Sequence, residues 1–231
     1  MLDYQLTSLI ITIVALFLLG SFVISKVFKD KIKIDTKFLV RTAIFSAISA
    51  ILYIVPYLKF PLLFFPSFLE IHFDEIPALI CGFAYGPLCG AFVIIIKTII
   101  KLPFTSTLCV GEIADLIYGL VLVIPSALFY KKNRNIKGAV IGLLIASVIQ
   151  VVTSSFLTTF VMLDFYMNVM GLSKQAILSM CQAANPNVTS LSWTFLLLVA
   201  LPFNAIKDVL LVAITLLLYK RIKKLIDKVE I

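Results

Sequence analysis

Two lysines, two carboxylates and a run of hydroxyls fall in segments apolar enough to lie in hydrocarbon. Lys97 sits within Phe92–Ile100, Glu112 and Asp115 within Gly111–Leu122, and Lys207, with Asp208, within Leu196–Leu218. Thr153, Ser154, Ser155, Thr158 and Thr159 follow Gln150 in a fourth segment. A charge at the centre of a bilayer costs about 2.5–3.5 kcal/mol on insertion scales, and residues that carry this cost normally face a bundle interior or a polar cavity. The set points to a site for a small molecule or an ion.

Spacing ranks these residues. Glu112 and Asp115 are three apart and share one helix face. One reading pairs Lys97 with Glu112 or Asp115 across adjacent antiparallel helices; the other leaves a polar head for a ligand. Lys207 lies deep in the last apolar segment, just after Pro202 and Asn204, and Pro202 frees a backbone carbonyl there. Its sequence neighbour Asp208 points about 100° away, so the two pair poorly. Snorkelling to an interface is the plainer account of Lys207. An opened outer end of the helix at Pro202-Phe203-Asn204 is the functional one. Most hydroxyls of the run can satisfy themselves on the preceding turn, while Gln150 and Thr158 share a face. The stretch Lys59–Asp74 alternates proline with Phe60, Phe64, Phe65, Phe68 and Phe73. It reads as an interfacial aromatic belt or as a stiff apolar wall for a flat ligand.

These residues need membrane helices to position them. The chain is 61% apolar and 14% charged, with mean hydropathy +1.11, against about 45–50% and about 25% in soluble domains. Seven spans are predicted, roughly 6–26, 38–57, 74–86, 87–103, 112–130, 138–163 and 194–219, the third short. The first lacks the basic start of a cleavable signal. The net charge of +8 does not indicate a nucleic-acid partner, because the basic residues cluster between spans. The clusters are Lys26 to Arg41, Lys131 to Lys137, and Lys220 to Lys224. Placing all three in the cytoplasm puts the N-terminus outside and the C-terminus inside. The connections 58–73, 101–111 and 164–193 then face out. Gly82, Gly86 and Gly90, Gly138 and Gly142, and Ala43 and Ala47 (extended by Ser46 and Ala50) are small-residue repeats that let helices approach closely. Gly86-Pro87 marks a tight turn.

Several chemistries are excluded. There is no GxxxxGK[ST] loop and no HExxH, and His72 is the only histidine, so a histidine-rich metal site cannot form. Gly20-Ser21 lacks a partner base. Cys81, Cys89, Cys109 and Cys181 contain no CxxC pair and read as packing residues. Neither an enzyme nor a resident cofactor or metal is expected.

The run YLKFPLLFFPSFLEIHFDEIPAL from Tyr57 to Leu79 resembles the S components, or substrate-binding subunits, of energy-coupling factor transporters. So do GFAYGPLCG from Gly82, GEIAD from Gly111 and PFNAIK from Pro202. Order and spacing match from about Thr36 to Arg221, in the riboflavin branch. The resemblance implies an all-α membrane protein of prokaryotic cells. It implies a six-helix vitamin-binding domain over 36–231, with 1–35 forming an extra transmembrane helix and basic linker. It implies a membrane T component and two ATPases as partners, with Ala43, Ala47 and Ala50 in the docking face. It also implies a flavin contact from the lysine matched by Lys207. Asn204, Thr158, Phe68, Glu70, Asp74, Lys97, Glu112 and Asp115 complete the candidate substrate-binding set.

The family often carries asparagines where this chain has Thr98 and Asp115. An Asn-Tyr pair appears as Thr158-Thr159, and Asp164 replaces a residue that is usually apolar or proline. Three functions are therefore carried forward: a riboflavin or flavin importer subunit, the same machinery with another vitamin or precursor, and a stand-alone ion-coupled transporter using Glu112 and Asp115.

Overall fold

The computed structural model describes residues 35–226. The predicted first span and the basic residues before Asp35 lie outside them. Helix α1 (Thr36–Ile54) starts where the Asp35 carboxylate accepts from Phe38 N at 2.8 Å, and it ends at Val55 before Pro56, where the proline ring disfavours further helix. A two-residue antiparallel ladder follows, β1 (Phe60–Pro61) against β2 (Glu70–Ile71), in register Phe60 with Ile71 and Pro61 with Glu70. It ties the aromatic loop back onto the helices.

Helix α2 (Glu75–Tyr85) is short and buried on nearly every side. At about 1.5 Å per residue it cannot cross a bilayer alone. It turns into α3 (Pro87–Lys101) at Gly86, whose φ of 98° is open to glycine at little cost. Pro87 takes the first helical position, where no donor is needed. Helix α4 (Val110–Lys132) carries Pro125 inside it, and Ser126 Oγ bonds Leu122 O at 2.7 Å. Helix α5 (Ile136–Asn168) is capped by Asn135. It widens into a π-helical turn at Thr158–Met162.

The sequence predicted a long connection over 164–193. Helix structure fills much of it. Helix α5 continues to Asn168, and α6 (Lys174–Ala184) starts at a Ser173 cap that accepts from Ala176 N at 3.1 Å. Helix α7 begins at Trp193–Phe195, widens into a second π turn at Leu196–Ala200 and runs on through Leu201–Ile226. Among the described residues, α1, α4, α5, α7 and the segment Pro87–Phe104, which is α3 with the turn after it, are long and apolar enough to span.

The two largest apolar clusters run through the bundle. The larger joins α2, α3, α4, α5 and α7, with Tyr219 edge to face on Phe83 and Tyr130, those two rings tilted against each other, and the two tyrosine hydroxyls 3.1 Å apart. The smaller gathers Leu163, Ile177, Cys181, Leu191, Phe195 and Leu196 around α6. The predicted glycine contacts are close helix approaches. A Cβ on Gly90 would lie 2.7 Å from Val123 Cγ1 and 2.8 Å from Ala78 O. Gly90→Ala is accordingly expected to cost about 1–3 kcal/mol by overpacking, read as a lowered melting temperature in detergent. The Sγ atoms of Cys81 and Cys89 lie 2.9 Å apart beside this contact.

On α1, Ala43 and Ala47 are exposed among Leu39, Val40, Ile44, Ile48 and Ile51, an apolar strip of the kind that faces lipid or another membrane chain. Ala50 and Ser46 are 4% and 1% exposed. Both side chains are turned into the bundle. Helical phase turns them toward α2 and α3, leaving Ala43 and Ala47 outside.

Candidate functional site

A cavity of about 420 Å³ opens at the end of the bundle that carries the aromatic loop, the 102–109 turn and α6. This volume lies within the range of small-molecule sites. Each wall comes from a different element. Tyr53 closes α1, Phe68 and Leu69 come from the β1–β2 loop, Glu70 from β2, and His72 from just after it. Helix α4 gives Glu112, Asp115 and Tyr118, α5 gives Met162 and Tyr166, and α7 gives Phe203, Asn204 and Lys207. Lys59 and Lys101 also line it.

Beneath the cavity lies a buried charge network. Asp74, Glu75 and Lys97 are each fully buried. Lys97 Nζ donates to Asp74, and its ammonium lies 4.7 Å from the centre of the Tyr53 ring. His72 Nδ1 pairs with Asp74. Lys207 Nζ lies 3.3 Å from His72 Nε2 and 3.4 Å from Glu75 Oε1. The second Glu75 oxygen has no hydrogen-bond donor and sits 3.7 Å from His72 Nδ1. Tyr53 OH donates to Asp115, whose carboxylate is 3.9 Å from His72 Nε2. His72, Asp74 and Glu75 offer metal-type ligand atoms within 4.8 Å of one another, but Lys97 and Lys207 already neutralise the two carboxylates. The cluster is an ion-pair network whose charges offset one another, which burial demands.

Of the candidate set, the structure places Lys207, Asn204, Phe68, Glu70, Glu112 and Asp115 in the lining. Three residues of the candidate set lie outside the lining. Asp74 and Lys97 lie behind the wall, not in it, because they satisfy each other. Thr158 also lies outside the lining, its hydroxyl 3.3 Å from Tyr118 OH. The predicted Lys97 pair with Glu112 or Asp115 is also replaced. Glu112 instead accepts from Thr105 Oγ1 at 2.8 Å and Thr107 Oγ1 at 2.9 Å, which closes the 102–109 turn. Of the hydroxyl run, Thr159 and Ser154 bond carbonyls of the preceding turn. Ser155 accepts from Asn204 Nδ2 at 3.1 Å, and that amide also donates to Ala200 O at 2.9 Å. Gln150, with its amide turned to donate, binds Asp208 at 2.9 and 3.1 Å.

Sequence reasoning missed Tyr53, His72, Tyr118, Tyr166 and Phe203. A signal existed for Tyr118, which lies three residues beyond Asp115 on the same face. His72 stands two residues before Asp74 but was weighed only as a metal ligand.

Comparison with known proteins gives one consistent family. The family model described as "ECF transporter, substrate-specific component" matches residues 37–219. The chain is similar to the riboflavin transporter RibU of Staphylococcus aureus (strain TCH60), 28% identical over 82% of this chain and 93% of that protein. It is similar to the riboflavin transporter FmnP of Bacillus subtilis (strain 168), 26% identical over 81% of this chain and 94% of that protein. A solved structure described as the S component of a bacterial ECF transporter superposes with TM-score 0.63 at 26% identity, over 83% of this chain and 98% of that one.

Proposed function

We propose that this chain, which belongs to the ECF transporter substrate-specific component family, binds riboflavin in the cavity between the aromatic loop, α4, α5 and α7. It is a multi-pass membrane protein and a transport component rather than an enzyme. The cavity carries the ligand reading. Riboflavin is a flat tricycle with one apolar edge, one edge of amide and carbonyl groups, and a chain of hydroxyls. Phe68, Tyr118, Tyr166 and Phe203 offer ring faces and edges to the tricycle. Lys207, Asn204 and Asp115 offer a cation, an amide and a carboxylate for its polar edge and hydroxyls. The names of the relatives support the same vitamin.

Capture by this chain is the first step, and ATP hydrolysis by partners drives the rest. The partners are a membrane T component and two ATPases, with the Ala43–Ala47 strip of α1 in the docking face. The cavity end faces outward. Supporting this orientation, Lys131, Lys132, Arg134 and Lys137 lie between α4 and α5 at the opposite end, with Lys220 and Arg221 near the close of α7, where positive residues mark the cytoplasmic side.

Titration of the purified protein with riboflavin tests the reading. Flavin fluorescence is expected to fall at micromolar or lower ligand as the ring system packs against Tyr118 and Tyr166. Phe68→Ala is expected to weaken binding by about tenfold, the loss of one aromatic contact. Unchanged fluorescence at micromolar riboflavin rejects the vitamin, and mass spectrometry of the co-purifying ligand then names the replacement.

A further inference from the structure

We infer that His72 is the positioning residue for Lys207, holding the ammonium at the cavity as an uncharged acceptor and releasing it when the ring takes up a proton. The inference rests on the riboflavin reading and deepens it. The geometry leaves few choices. Nε2 lies 3.3 Å from the Lys207 ammonium, which has only donors, so Nε2 carries no proton. Nδ1 then carries it and donates to Asp74. Asp74 in turn is anchored by Lys97 from α3, and the ring packs 5.4 Å from the Tyr53 ring of α1.

Among the described residues, the ring's charged neighbours come from three elements. Asp74 and Glu75 come from its own segment, Lys207 from α7 and Asp115 from α4. Burial first, and the Lys207 ammonium second, hold the ring's proton affinity below the ordinary histidine value; Glu75 and Asp115 pull the other way. The uncharged ring therefore persists down through neutral pH, and protonation begins on the acid side of about 6.5. A proton on Nε2 would face the ammonium head on. Its available acceptor is Asp115 Oδ2, 3.9 Å away, so the ring exchanges partners and Lys207 retreats toward Glu75. Ligand capture weakens as pH falls, and riboflavin recruited at neutral pH is released more readily in acid.

The single histidine makes the test direct. Protein purified on a histidine-free tag and labelled with nitrogen-15 histidine is expected to show one uncharged Nδ1–H ring at about pH 7.5. Lys207→Met is expected to shift its Nε2 resonance. In parallel, riboflavin affinity of the unaltered protein is expected to stay level from about pH 7.5 to 6.5 and to fall as the pH is taken lower. His72→Gln, which keeps a donor and an acceptor but cannot titrate, is expected to bind a few-fold more weakly at neutral pH and to lose most of that pH dependence. An Nε2–H or charged ring at neutral pH, a resonance indifferent to Lys207→Met, or parallel pH profiles for the two proteins overturns the inference. If neither protein binds riboflavin at any pH, the vitamin reading fails, and the tautomer and its response to Lys207→Met decide the role of His72 alone.

Discussion

Lys207→Met is expected to weaken riboflavin binding by about 10–100-fold, the loss of a charge-assisted hydrogen bond worth about 1.5–3 kcal/mol. The same substitution strips the fully buried Glu75 of its ammonium partner, and breaking a buried pair from one side costs about 3–5 kcal/mol of stability. A lower affinity by itself would therefore not separate ligand contact from a damaged fold. Glu75→Gln placed beside Lys207→Met separates them, because it removes the stranded charge. The double variant is expected to recover most of its melting temperature in detergent while riboflavin affinity stays low. Recovery of both would make Lys207 a structural cation and move the ligand's polar partner to Asn204 or Asp115.

A stability effect of the same size belongs to the pair that never touches the cavity. Lys97→Met leaves Asp74 fully buried with only His72 beside it, and a loss of about 3–5 kcal/mol is expected. That is a large part of the stability of an ordinary domain. Asp74→Asn combined with Lys97→Met removes both charges, and an apolar or neutral replacement of a buried pair is often neutral or stabilising. Thermal unfolding of the single and double variants reads this directly. A single variant as stable as the parent would mean that water reaches the pair.

Much of the fold was legible in the sequence because membrane spans announce themselves by composition. The boundaries of α2 and α3 followed from Gly86-Pro87, whereas the opening expected at Pro202-Phe203-Asn204 is a π turn at Leu196–Ala200 ahead of α-helix from Leu201. Helix α6 was not legible: its 11 residues are too few and too polar to register as a span. Pairing was harder still. Lys97 and Asp74 lie 23 residues apart, and their meeting depends on how deep the short α2 sits against α3. Helix-face arithmetic on α3 and α4 therefore chose Glu112 and Asp115, while two threonines of the local turn had already claimed Glu112. The site was found where single residues stood out against hydrocarbon, as Lys207 did. It was missed where ordinary tyrosines line a wall, since an aromatic in an apolar span carries no contrast. The lone histidine was judged by what it could not do with a metal, and its capacity to accept from a lysine stayed hidden until the structure placed the two side by side.

The π turns at Thr158–Met162 and Leu196–Ala200 have a consequence for angular phase. Each wide turn accommodates one residue more than an α-helical turn would, and one residue is worth about 100° of rotation. A helical wheel drawn without interruption from Trp193 therefore misplaces Asn204 and Lys207 by more than a quarter of a circle. The same slip in α5 separates the orientation of Ser155 from that of Tyr166. The two helices carry their offsets beside each other, so the half of the bundle around the cavity keeps its own azimuth, and the polar groups of both helices meet across a phase break that a linear reading of residue spacing cannot register.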